Sequence, residues 1–328
     1  MYDFEEDRLL SELKKRKPKR VLLQVPEGLK KEAVRLAELI QDKAKVQVVV
    51  SGEPLWGACD IAISEAKIIQ ADLIVIYGHA PFYEPSFPVV YVEAHYRKNI
   101  DKLLKKTLPE LKAYTNIGLI ASVQHLHQLP KVQEVLEKAG KKVIIPLKKG
   151  HAFYDGQVLG CEYNALKVVS KNIEAFLILG NKFHALGAAL AVPKPIILLD
   201  PYNEEIANMD ALRNKIIKQR FAAIEKAKEA KTFGIIVGVK EGQQFGSVEY
   251  AMERLKKVGK KYVVITMNEI TNDKLVNLYN VDVFVELACP RIAIEDVAKF
   301  EKPLLTAREF AVVIGDSTWN DLLQRGFL

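Results

Sequence analysis

Val281-Asp282-Val283-Phe284-Val285-Glu286-Leu287-Ala288-Cys289-Pro290-Arg291 reads as a strand that runs directly into a turn carrying a thiol. The apolar stretch 281–287 has strand length and is rich in β-branched and aromatic side chains. Pro290 has no amide hydrogen and stiffens the turn after Cys289. A helix is expected from Ile294 and a short strand at 304–305. Upstream, strands are expected at 233–237 and 262–266. Between them runs a Gly-rich loop through Gly238, Gly242 and Gly246, then a helix capped by Ser247 that continues to Val258. A helix at 273–279 fills the next gap. Strands alternating with helices imply a parallel sheet, and such sheets bind ligands beyond the carboxyl ends of their strands.

The same order occurs twice before. In the first stretch, strands are expected at 20–25, 46–50, 71–77 and 89–92, with a helix at 29–41 carrying Val34, Leu36 and Ile40 on one side. In the second, strands are expected at 117–123, 142–146, 175–179 and 196–199, with helices at 131–139 and 163–172. A long helix around 204–231 then leads to the third stretch. The repeat has a period of about 100 residues, near the usual size of one domain. It predicts an α/β fold of three similar Rossmann-like units with parallel sheets arranged around a pseudo-threefold axis. The units span 1–110, 111–212 and 213–328.

Composition agrees with this. The chain has 328 residues, more than a single core usually holds, with 49% hydrophobic and 27% charged residues. Its longest apolar runs are strand-length, far short of the roughly 18 residues of a membrane span. The acidic start, Met1 to Asp7, lacks an apolar core and is not expected to act as a signal peptide. A cytoplasmic protein with no membrane contact is expected. The net charge of +7 is spread along the chain. Its densest cluster, Lys14, Lys15, Arg16, Lys17, Lys19 and Arg20, reads first as a solvated helix end and second as a docking patch for an acidic macromolecule.

Each expected unit holds one cysteine: Cys59, Cys161 and Cys289. No Cys-x-x-Cys pair occurs, which excludes zinc ribbons and ferredoxin-type spacing. Every cysteine nevertheless sits among small residues: Gly57-Ala58-Cys59-Asp60, Leu159-Gly160-Cys161-Glu162 and Ala288-Cys289-Pro290. Three units around one axis could bring three thiolates to one place. Such a set fits a [4Fe–4S] cluster with one iron open, or a zinc ion with three cysteines and a water. Three unrelated buried thiols are the plain alternative.

Val25-Pro26-Glu27-Gly28-Leu29, Gly57-Ala58-Cys59-Asp60, Tyr77-Gly78-His79, Leu159-Gly160-Cys161 and Ala288-Cys289-Pro290-Arg291-Ile292-Ala293 together resemble the signature segments of a known family. It is the archaeal 2-(3-amino-3-carboxypropyl)histidine synthases, the radical enzymes of diphthamide synthesis. The resemblance runs in order from about Val21 to Thr306 and departs at Trp56, where tyrosine is expected. It implies a [4Fe–4S] cluster held by Cys59, Cys161 and Cys289, with S-adenosylmethionine as co-substrate at the open iron. It also implies a 3-amino-3-carboxypropyl radical that attacks a histidine of translation elongation factor 2. A homodimer and an external electron donor belong to the same expectation, and no direct nucleic-acid contact does.

Residues near the expected strand ends are candidates for holding the co-substrate. Arg291 could pair with its carboxylate, or with a local Glu or Asp. Gly238, Gly242 and Gln243 form a loop suited to close backbone contact, and Glu27 and Gly28 occupy the equivalent loop of the first unit. Asp60 could orient the Cys59 loop or accept from the ligand amine. His79 and Gly180 end central strands, and His184 lies near the centre of the second unit. His125 and His127 read as a polar loop. Trp56, Phe82 and Tyr83 are candidates for an apolar wall. Two rival readings stay open: a quinolinate synthase-like enzyme, which shares three α/β domains and a three-cysteine cluster, and a non-catalytic partner subunit.

Overall fold

The computed structural model describes residues 2–295 and 297–328. Three parallel sheets share one strand order, second-first-third-fourth. The first sheet runs Gln47–Val50, Arg20–Gln24, Leu73–Tyr77, Val89–Val92. The middle sheet runs Lys142–Ile144, Asn116–Ala121, Ala175–Leu179, Ile196–Asp200. It gains an antiparallel edge, Glu205–Asn208. The last runs Lys261–Met267, Thr232–Gly238, Val283–Glu286, Leu304–Thr306. The third strands are buried at every position, as expected where helices cover both faces.

Two devices repeat between the sheets. An acidic residue just before each third strand accepts two backbone N–H groups at the start of the first strand. Asp72 takes Lys19 and Arg20 at 2.7 and 2.8 Å, Glu174 takes Thr115 and Asn116 at 2.5 and 2.7 Å, and Asp282 takes Lys231 and Thr232 at 2.8 Å each. These bonds hold all three carboxyls below the ordinary range. In the middle and last sheets, a glycine of the first strand lies beside a phenylalanine of the third: Gly118 with Phe176, and Gly234 with Phe284. A methyl at either glycine would meet the neighbouring ring.

The structure also corrects details. Val34 is 67% exposed, while Leu36, Ala37 and Ile40 are buried, so the buried face of the helix Ala33–Ala44 lies one step around. The stretch 204–231 is not one helix: Glu205–Asn208 is the edge strand, and the helix is Asp210–Lys228. The helix after Cys289 begins at Pro290, earlier than Ile294, because proline suits a helix's first turn. Ser247 caps its helix as expected, accepting from the Tyr250 amide. The basic cluster closes the helix Glu6–Arg16, where positive charge meets the helix's carbonyl end. Among the described residues, no helix is long and apolar enough to cross a membrane.

Candidate functional site

All three cysteines lie beyond the carboxyl ends of strands. Cys59 follows Gln47–Val50 in a loop before the helix Ile63–Ile68, and Cys161 occupies the matching loop before Asn164–Val169. Cys289 sits in the turn between Val283–Glu286 and Pro290–Glu295.

Each loop is fixed by its own partners. The Gln24 side chain spans the Cys59 loop, donating to the Asp60 carbonyl at 3.2 Å and accepting from the Ala62 amide at 2.9 Å. Lys240, from the last sheet, pairs with Asp60 at 2.9 Å and also with Glu269. Gly242 lies against the Cys59 backbone: a methyl there would stand 2.5 Å from Cys59 Cα. The Gln243 amide donates to Cys59 Sγ at 3.6 Å. Glu286 accepts from the amides of Ala288 and Cys289 at 3.0 and 2.8 Å and so shapes the Cys289 turn. Arg291 ties that turn to the Cys161 loop. It donates to the carbonyls of Gly160 at 2.7 Å and Phe183 at 2.8 Å, lies over the Phe183 ring at 4.0 Å, and pairs with Glu295.

The thiols sense one another. Burial raises all three above the ordinary cysteine range, Cys289 to about 12. After burial, the charges of Cys289 and Cys59 are what raise Cys161 most, and Cys59 also acts on Cys289. Such mutual influence needs the three side chains on the same side of the molecule, at the carboxyl ends of the sheets. Among the described residues, the one set of three His, Cys, Asp or Glu ligand atoms all within 4.8 Å of one another is Glu5, Glu93 and His95. The three sulfurs therefore do not all lie within 4.8 Å of one another. Around a single zinc, with Zn–S bonds of about 2.3 Å at tetrahedral angles, they would stand roughly 3.8 Å apart. The sulfurs as placed do not form a closed three-thiolate zinc set. In the first set, Arg8 pairs with both Glu5 and Glu93 and already supplies the positive charge.

Three histidines lie deeper in the fold. His79 ends Leu73–Tyr77, with Nδ1 3.1 Å from the Tyr77 carbonyl oxygen. His184 Nδ1 is 2.9 Å from Asn181 Oδ1, and His125 is fully buried on a short 3-10 helix, not in an open polar loop. Burial lowers His79 and His125 to about 4 and His184 to about 3, with Arg291 adding to the effect on His184. The unfolded chain binds protons on these rings below about 6.5, where the folded protein does not. Stability is thus full above pH 6.5 and falls as the pH drops toward 4, on the order of 1.4 kcal/mol per unit for each ring. Urea midpoints at pH 7 and pH 5 check this; equal midpoints would contradict it.

The structure brings Cys59, Asp60, Gly238, Gly242 and Gln243 together, and Cys161 with Cys289 and Arg291. Gly238 packs on Ala288, the neighbour of Cys289. Gly180 lies beside Ser122 and His184. Several expectations change. Arg291 is 4% exposed; its terminal nitrogens bond to Gly160, Phe183 and Glu295 and clamp two loops, while among the described residues its Nε has no hydrogen-bond partner. Glu27 and Gly28 face solvent, with Glu27 paired to Lys30. Trp56 is 65% exposed and donates to Glu269 at 3.3 Å, whereas Phe82 is buried and stacks on His151 at 4.2 Å. Lys240 and Glu286 were missed. Glu286 had a signal, a carboxylate inside an otherwise apolar strand; Lys240 had none.

The family model for diphthamide synthesis proteins matches residues 25–323. The 2-(3-amino-3-carboxypropyl)histidine synthase of Pyrococcus horikoshii is 35% identical over 319 residues, 96% of this chain and 91% of that protein. Subunit 1 of the Homo sapiens enzyme of the same name is 31% identical over 97% of this chain and 73% of its own length. The crystal structure of Dph2 from Pyrococcus horikoshii with a 4Fe-4S cluster superposes with a TM-score of 0.88 at 34% identity, covering 97% of this chain and 92% of that one.

Proposed function

This chain belongs to the diphthamide synthesis protein family, and from that premise we propose that it transfers the 3-amino-3-carboxypropyl group of S-adenosylmethionine to a histidine of translation elongation factor 2, the first step of diphthamide formation. One observation carries the reading: three part-buried thiols, one beyond each sheet, lie on loops tied to one another by Lys240 with Asp60 and Arg291 with Gly160. Cys59, Cys161 and Cys289 would hold a [4Fe–4S] cluster, for which an all-thiolate donor set is suited. When bound and reduced, the cluster supplies the electron that cleaves the Cγ–S bond of the sulfonium.

The chain's own residues contribute placement. Gln24, Lys240 and Gly242 fix the Cys59 loop, Glu286 the Cys289 turn and Arg291 the Cys161 loop. The thiols shed their protons when they take up metal, so their raised pKa values make loading less favourable as pH falls.

Contacts between all three pairs of sheets support three units arranged around a pseudo-threefold axis, dividing near residues 110 and 212. The first and last meet through Lys240 with Asp60, and the middle and last through Arg291 with Gly160. The first and middle meet through Gln124, which donates to the Gly78 carbonyl at 2.7 Å, and through Tyr154, which donates to Glu93 at 2.8 Å. A cytoplasmic homodimer served by an external electron donor completes the proposal. Family membership favours this reading over the quinolinate synthase alternative.

Anaerobic iron and sulfide analysis tests it. Wild type is expected to hold roughly four irons per chain and Cys161→Ala to lose them. The reduced, loaded wild type is expected to release methylthioadenosine and modify elongation factor 2. A loaded, reduced chain that releases no methylthioadenosine overturns the reading. Release without modification of the factor points to a chain that works only beside a partner subunit.

A further inference from the structure

We propose that Gln243 is a positioning residue that sets the reduction potential of the group held by the thiols, through an N–H···S hydrogen bond to Cys59. The inference rests on the cluster reading above and assigns Gln243 a task other than holding the co-substrate. Its amide Nε2 lies 3.6 Å from Cys59 Sγ, within the reach of a bond to sulfur, and the residue is 7% exposed. Among the described residues, no comparable side-chain donor reaches the sulfur of Cys161 or Cys289. Cys289 is met by the backbone N–H of Arg291 instead, so the side-chain contact is particular to Cys59.

The amide is aimed by the fold. The Gln243 backbone N–H donates to the Lys240 carbonyl at 3.0 Å, closing a tight turn. Lys240 anchors that turn to Asp60 on the Cys59 loop, and Gly242 lies directly on the Cys59 backbone. The Gln243 carbonyl oxygen is packed close over Gly238. Donor and acceptor thus sit on two loops locked together by a part-buried ion pair and a backbone contact. The amide hydrogen carries partial positive charge and withdraws electron density from the sulfur. Reduction adds negative charge to the cluster, so the bond favours the reduced state and raises the potential.

The test compares anaerobically loaded wild type with Gln243→Met, which keeps the length and loses the donor, and Gln243→Glu, which turns the donor into a carboxylate. Iron and sulfide contents are measured first, then midpoint potentials by redox titration followed by EPR. The expected result is a shift to more negative potential for Gln243→Met and a larger one for Gln243→Glu. Unchanged midpoints in loaded variants overturn the proposal, and with a raised KM for S-adenosylmethionine they return Gln243 to the co-substrate. If the variants fail to load, pulsed EPR on reduced wild type with 15N-labelled glutamine side chains reads the contact directly. A coupled glutamine nitrogen is expected, and its absence overturns the proposal. A wild type that takes up no iron overturns the cluster reading and this inference with it.

Discussion

Gly242→Ala is expected to leave the three sheets folded and to weaken the metal site by about 10–100-fold, the range for groups that support metal ligands. The new methyl would stand 2.5 Å from Cys59 Cα, 2.6 Å from the Cys59 carbonyl oxygen and 2.8 Å from the Tyr83 ring. Two of those atoms are backbone, so no rotamer change relieves the overlap. Either the Cys59 loop or the 238–243 loop must move, and they come from different sheets. Overpacking of this kind costs about 1–3 kcal/mol, a loss the rest of the fold can absorb. A displaced Cys59 sulfur cannot be absorbed, because the other two thiols remain where Glu286 and Arg291 hold them. Gly52→Ala is the control, since nothing lies within 4 Å of the added methyl. Iron content under limiting iron, with circular dichroism as a check on folding, distinguishes the outcomes. A Gly242→Ala protein that loads like wild type would show that the two loops slide freely.

Arg220→Ala should destabilise the protein by about 3–5 kcal/mol, the cost of stranding one partner of a buried ion pair. Arg220 and Glu309 are both fully buried and meet in a fork, with two bonds of 2.6 Å. Two further guanidinium hydrogens go to the carbonyls of Ala293 and Leu304, each at 2.7 Å. The pair thus ties the helix Asp210–Lys228 to the last sheet and to the helix that begins at Pro290. Glu309 also accepts from the Thr306 amide at 2.9 Å as part of a capping box, and a bare carboxylate there would have to be buried or protonated. Arg220→Met with Glu309→Gln removes both charges, keeps a capping acceptor and should recover part of the loss. Urea unfolding checks both variants. A loss below about 1 kcal/mol for Arg220→Ala would mean that water reaches the carboxylate, as at a surface pair.

How far the sequence carried the reading depends on the range of each interaction. The middle strand of every sheet was legible because burial on both faces demands a continuous apolar run, as in Leu73–Tyr77 and Ala175–Leu179. Glu205–Asn208 was not, because an edge strand with one neighbour carries a mixed pattern and was absorbed into the following helix. Val34 misled for a similar reason: an apolar residue on a helix surface is ordinary and does not mark the buried face. Among site residues, the cysteines stood out by residue type and by one occurrence per repeat. Arg291 was noticed for its place beside Cys289, but its partners, Gly160 and Phe183, lie more than 100 positions away.

Local pattern alone determined the α/β class, the threefold recurrence of strand and helix, and the position of each cysteine after a strand. These follow from side-chain period and backbone stereochemistry, which act over a few residues. Only the tertiary structure decided which groups meet: Lys240 with Asp60, Gly242 with the Cys59 backbone, and Arg291 with Gly160. Those contacts arise when separate sheets dock, and docking is fixed by the summed shape and charge of whole surfaces, which no short stretch of chain records.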